Sequence, residues 1–312
     1  MSLPHLVGQP FVRRILDSGL DSGRTASAYL FEGPPGCGKK TAALDLAAAL
    51  VGGQDAWGRA SRRSHPDIRS FAPTGASFKV EQVQELLTLS ALRPFEGPRK
   101  VFILDRAEDL TSAAANKLLK TIEEPPDGMT WILVTTQRAR IPATIASRCQ
   151  CLRFHPLDEA SLRTVLEREL SVDARRARDL AALSGGSVRL ASWYQGADGK
   201  AQVKEAEAFL EAAASGSLVQ KLDWVERVQN QRRGLDRLLG VLWVLLRERW
   251  VVARGLPVEL RLLVEAPTHG GALSPDALEA MMKAVVRCQA ALARNANAPL
   301  ALMSLALAGS KP

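Results

Sequence analysis

Val101-Phe102-Ile103-Leu104-Asp105, then Ala114-Ala115-Asn116-Lys117-Leu118-Leu119-Lys120-Thr121-Ile122-Glu123-Glu124-Pro125-Pro126, then Trp131-Ile132-Leu133-Val134-Thr135-Thr136: these three phrases decide the fold. The first and third are apolar runs short enough to be buried strands. The middle one, read from Leu110 to Glu124, has helical periodicity and stops at two prolines. Strand, helix and strand at this spacing form a βαβ unit with parallel strands. Polar groups at the ends of such strands sit where α/β proteins hold ligands, so Asp105, Thr135 and Thr136 are candidate site residues.

Working back towards the start, Val12 to Gly23 predicts an amphipathic helix, and Ala28-Tyr29-Leu30-Phe31 predicts a strand. That strand runs into Gly33-Pro34-Pro35-Gly36-Cys37-Gly38-Lys39-Lys40-Thr41 and a helical Ala42 to Val51. A glycine loop between a strand and a helix is a phosphate cradle. Backbone N–H groups converge on the phosphate oxygens, the helix start adds positive potential, and Lys39 reaches the outer phosphates. Gly33, Gly36 and Gly38 shape the loop. The next position in this pattern is a Ser or Thr whose hydroxyl ligates Mg²⁺; here it is Lys40, with Thr41 one residue late. The loop is therefore expected to take a nucleotide or another anion but to serve Mg²⁺ poorly.

Residues 52–64, with Arg59, Arg62 and Arg63, read as a solvated basic surface insertion rather than a DNA contact. A strand at 65–71 and a helix from Val80 to Leu89 follow. Beyond Pro156 the pattern turns helical: a module of about 45 residues, a polar linker at 195–199, and helices from Lys204 onward. Leu235, Leu238, Leu239, Leu242, Leu245 and Leu246 mark a broad apolar stripe, read as core before partner surface. The expected fold class is α/β plus all-α, divided 1–155, 156–199 and 200–312.

A net charge of +8 and a pI near 9.6 suit an acidic partner such as DNA, although genomic base bias would give the same excess. Cys37, Cys149, Cys151 and Cys288 follow neither a disulfide framework nor a paired metal spacing, which points to a reducing cytoplasm without zinc. The start of the chain lacks the pattern of a signal peptide, and no apolar run approaches the ~20 residues of a membrane span. A cytoplasmic protein is expected.

Several phrases together resemble the AAA+ clamp-loader family of bacterial DNA polymerase III subunits. They are Ala28 to Phe31 before the loop, His65-Pro66-Asp67, Lys79-Val80-Glu81-Gln82-Val83, the run Ala114 to Pro126, and Pro142-Ala143-Thr144-Ile145-Ala146-Ser147-Arg148-Cys149-Gln150. Arg294-Asn295-Ala296-Asn297 is similar to the last collar helix of that family. The resemblance is dense over 1–155 and architectural beyond.

It implies a RecA-like AAA+ domain, a small helical lid, a helical collar that assembles a five-membered ring, and work on a sliding clamp at primed DNA. Implied partners are clamp-loader subunits of the delta and gamma/tau kinds, the clamp and primer-template DNA. On this match Arg148 is an arginine finger acting in a neighbour's ATP site, and Arg189 is a lid sensor of nucleotide. Two departures, Lys40 and Arg106 at the position of the water-orienting acid, suggest ATP or ADP binding without efficient hydrolysis. Glu108, three residues past Asp105, is not expected to take over that position. The alternative is an active ATPase subunit of the gamma/tau kind.

Overall fold

Each apolar run in the first part of the chain becomes a strand of one parallel sheet. The computed structural model describes residues 3–215, 217–229, 234–256 and 273–308. These divide into two compact units, 1–169 with 185–189 and 170–184 with 190–312. The first unit carries α1 (Pro10–Asp21), β1 (Ala28–Glu32), α2 (Lys39–Val51), α3 (Ala56–Ser61), β2 (Ile68–Phe71) and α4 (Val80–Ser90). It continues through β3 (Lys100–Asp105), α5 (Ser112–Glu123), β4 (Met129–Thr135), α6 (Ala143–Ala146), β5 (Gln150–Arg153) and α7 (Glu159–Leu170).

The strand order is β2-β3-β4-β1-β5, with parallel pairing throughout. All seven residues of β4 are buried, as a central strand covered on both faces requires. Alternation along the strands splits the core in two. Tyr29, Phe31, Ile103, Ile132 and Val134 pack with α1 and α2 through Val12, Leu16, Leu46 and Leu50. Leu30, Phe102, Leu104, Trp131 and Leu133 face the other way, onto Val83 and Leu86 of α4 and Leu118 and Ile122 of α5. Thr111 caps α5 by accepting from the Ala114 N–H at 3.2 Å, and Pro125 follows directly on its C-cap Glu124. The carboxyl ends of β1, β3 and β4 converge on one rim, where loops can hold a ligand.

The insertion at 52–64 is more ordered than its composition predicts. Ala56, Gly58 and Ala60 of α3 are buried, and Trp57 stacks on His5 with ring centroids 3.8 Å apart. Two of its arginines pair within the chain, Arg59 with Glu96 and Arg62 with Asp55. One apolar face, spaced over only two turns, was hidden among charges.

His65-Pro66-Asp67 has a structural task. Asp67 is fully buried, and its carboxylate accepts from the backbone N–H groups of Phe95, Glu96 and Gly97 at 2.6, 2.8 and 3.0 Å. The His65 Nδ1 accepts from the Asp67 N–H, so its proton sits on Nε2, 3.1 Å from Glu96. Burial pushes the Asp67 carboxyl up, but the three N–H groups outweigh it and hold it below the usual carboxylate range. Its stabilising effect is therefore full above about pH 4, the unfolded value, and is lost as pH falls through the lower folded value. Asp67→Asn is expected to lose roughly 1–3 kcal/mol at neutral pH. In urea titrations at pH 7 and below pH 4, the gap between variant and parent should narrow at the acid end.

The second unit is helical: α8 (Ala174–Ser184), α9 (Val188–Gln195, entered from the first unit), α10 (Ala197–Ser215) and α11 (Leu218–Val228). Three more helices follow, α12 (Leu235–Ala253), α13 (Pro275–Ala293) and α14 (Ala298–Ala306). The expected leucine stripe is buried in α12, which packs on α10 and α13. Two sequence readings are corrected here. The polar linker at 195–199 reduces to Gly196, because α10 starts at Ala197 and Gly199 lies against the Trp193 and Tyr194 backbone, where a Cβ has no room. Arg294 to Asn297 is not itself helical. Asn295 adopts a φ of 59°, and Asn297 caps α14 by accepting from the Leu300 N–H at 3.2 Å. Gly216 and residues 266–271, whose composition predicts breaks between the C-terminal helices, lie outside the described residues.

Candidate functional site

A cleft of about 310 Å³ opens at the rim of the sheet in the first unit. The loop after β1 contributes Gly36 and Gly38; the first turn of α2 contributes Lys39, Lys40 and Thr41; β3 contributes Asp105; β4 contributes Thr135, with Thr136 just after it; and the start of α9 contributes Arg189. Nine sequence-predicted residues thus line one site. Gly33 stands just behind it, with its carbonyl accepting from Lys39.

Gly36 is dictated by close approach. A Cβ on Gly36 would collide with the Ser187 hydroxyl and come within 2.9 Å of the Arg189 nitrogen, and Gly36 also has a φ of 79°. The Val188 N–H donates to the Gly36 carbonyl at 3.0 Å, which brings Arg189 to the loop. Gln9 fastens the other side, donating to the Cys37 and His155 carbonyls and accepting from the His155 N–H. His5 donates its backbone N–H to Asp45 of α2 at 3.0 Å, fixing the segment that supplies His5, Leu6 and Val7 to the cleft wall.

The Lys39 ammonium donates to the Gly33 and Pro34 carbonyls at 2.7 and 2.6 Å. Burial pushes it below the usual lysine range, against the pull of Cys37, Glu108 and Asp105. The Lys40 ammonium lies 3.3 Å from the Asp105 carboxylate. Thr135, fully buried, accepts from the Gln137 N–H at 3.1 Å and so braces the turn after β4.

Glu108 is the residue that sequence reasoning set aside. Arg106 adopts a φ of 60°, turns its guanidinium onto Asp109, and a 3-10 turn at Ala107–Asp109 then carries Glu108 back to the cleft. Its Oε1 accepts from the Thr136 N–H at 3.1 Å and hydroxyl at 2.5 Å, while Oε2 is buried without a hydrogen-bond partner among the described residues. Burial raises the Glu108 carboxyl, but the threonine hydrogen bonds outweigh it and hold it below the usual range, so it is ionised at neutral pH.

Arg148 is not among the residues of this cleft. It follows α6, two positions before the edge strand β5, and is part-exposed. Its guanidinium donates to Glu123 and to the Thr144 carbonyl at 3.0 Å. Arg148's hydrogen bonds hold the Glu123 carboxyl below its usual range. Burial lifts the neighbouring Cys149 thiol to about 12, so it is not a thiolate nucleophile. Among the described residues no helix is long and apolar enough to cross a membrane.

A parallel sheet in this strand order, with a glycine-rich phosphate loop after β1 and an acid at the end of β3, defines the P-loop α/β module of AAA+ proteins. Comparison with known proteins narrows the class. A family model described as DNA polymerase III, delta subunit, matches residues 8–158. The DNA polymerase III subunit delta′ of Bacillus subtilis is 33% identical, over 74% of this chain and 75% of that protein. The gamma/tau subunit of Mycobacterium tuberculosis is also 33% identical, but over 54% of this chain and 31% of that protein. A gamma subunit-related protein from Thermotoga maritima shares the fold at 17% identity and a TM-score of 0.54, covering 95% of this chain and 98% of that one. The chain belongs to the AAA+ clamp-loader family of DNA polymerase III subunits.

Proposed function

We propose that this chain is a non-catalytic clamp-loader subunit of the delta′ kind, a stator that helps place a sliding clamp on primed DNA. The observation that carries the reading is the ion pair of Lys40 with Asp105 at 3.3 Å. The acid that would hold Mg²⁺ in a working site is taken by a side chain of the loop itself. Arg106, where the water-orienting acid is expected, is turned onto Asp109.

Arg148 then acts in trans. A guanidinium at a γ-phosphate stabilises transition-state charge, and Arg148 lies outside its own cleft at a part-exposed surface beside the sheet edge. The remaining chain supports assembly in this reading: residues 156–199 as lid and 200–312 as collar. The partners are delta and gamma/tau subunits, the clamp and primer-template DNA in the cytoplasm, with no zinc or membrane involved. The similarity to delta′, over three quarters of that protein, favours this kind over gamma/tau.

A second reading, an active gamma/tau-like ATPase, draws on Glu108, an ionised carboxylate buried in the cleft beside Thr136. The purified chain decides between them. With Mg·ATP, alone or with primed DNA, it should release no phosphate above a Lys39→Ala control; turnover that the control lacks would make it a motor.

A further inference from the structure

Mg²⁺ does not fit this cleft. The position that would offer a hydroxyl is Lys40, and its ammonium already lies against the Asp105 carboxylate at 3.3 Å. A divalent ion bound there would face an adjacent positive charge and a carboxylate already engaged. At such separations like charges repel by kilocalories even in a partly aqueous setting.

The rest of the cleft is nonetheless built for a nucleotide. Gly36 and Gly38 keep the positive-φ loop open at the start of a 13-residue helix, Lys39 and Arg189 bring two further cations, and the walls include Leu6, Val7, Leu157 and Val165. Loop and cations suit a polyphosphate, while the apolar walls suit a flat heteroaromatic base. We propose that the cleft binds a nucleoside diphosphate as the free anion, with the Lys40 ammonium standing where a metal ion would otherwise bridge Asp105 and the phosphates.

Lys40 supplies one positive charge where a divalent ion brings two. The cleft therefore favours a diphosphate, which carries less negative charge than a triphosphate. A nucleotide so held has no metal to polarise it, so the cleft binds it without hydrolysing it. This deepens the stator reading and rests on it, but the stator role itself needs no nucleotide.

The test is calorimetric titration of the full chain with ADP, ATP and inorganic pyrophosphate, in excess Mg²⁺ and in excess EDTA at equal ionic strength. ADP should bind as tightly or more tightly in EDTA, ahead of both ATP and pyrophosphate. Lys40→Thr, with its fold verified by circular dichroism, should lose about tenfold or more of its ADP affinity in EDTA and recover it in Mg²⁺. Asp105→Asn, which removes a negative charge and leaves Lys40, should keep or tighten binding in EDTA. ADP binding by the parent chain that requires Mg²⁺ overturns the proposal. So does pyrophosphate binding as tight as ADP, or no nucleotide binding in either condition; the last leaves the stator reading standing.

Discussion

Arg148→Ala in a reconstituted clamp loader is expected to cut clamp- and DNA-stimulated ATP hydrolysis at the site it serves by roughly 10²-fold or more, and to slow clamp loading with it. The substitution should leave this chain folded. Arg148 is part-exposed, and the contacts it makes to Glu123 and Thr144 are surface contacts of small consequence for stability. Arg148→Lys is the sharper probe. It keeps the positive charge and loses the planar fork that addresses two phosphate oxygens, so it should recover little of the rate. The melting temperature of the isolated variant and its assembly with partners, followed by gel filtration, separate a lost finger from a lost subunit. Glu123, which holds the guanidinium in the isolated chain, would have to release it on engagement.

The largest effect on stability is expected at Trp131, in the middle of β4. It is fully buried, sits between Phe102 and Ala28 in register, and meets the Phe102 ring edge-to-face with centroids 5.4 Å apart. Trp131→Ala empties the centre of the core on the α4 and α5 side and should cost about 3–5 kcal/mol. Trp131→Phe should cost much less. The indole N–H has no partner among the described residues, so the phenyl ring removes an unsatisfied buried donor along with some packing. Pulse proteolysis across a urea series measures both without relying on tryptophan emission. If the two variants were equally destabilised, packing at this position would not be what stabilises the sheet.

The sheet was legible because buried parallel strands leave an uninterrupted apolar signal. Val101 to Leu104 and Trp131 to Val134 could hardly be anything else between their turns. The cleft was legible for a related reason: a glycine loop needs its glycines, as the approach of Ser187 and Arg189 to Gly36 makes plain. What stayed hidden depended on backbone turns that side-chain identity does not announce. Glu108 reaches the cleft only because Arg106, a residue with no glycine-like signature, takes a positive φ. Residues 52–64 read as a solvated basic insertion, and nothing local told that His5, fifty-two positions before Trp57, would stack on it. Asn297 was recognised as part of a phrase, yet its cap role is read from the turn it makes before α14. The arginine finger proposed for Arg148 is a case apart. The Arg148 phrase is specific in sequence, but the site it would complete belongs to another chain.

The central claim is that this subunit contributes to hydrolysis through Arg148 and not through its own cleft, and two assemblies compared side by side test it most directly. One carries Lys39→Ala here, the other Arg148→Ala, with all other subunits unchanged, and clamp-stimulated phosphate release is measured in both. Parental turnover is expected with Lys39→Ala and a severe loss with Arg148→Ala. Equal losses, or a loss confined to Lys39→Ala, would contradict the claim.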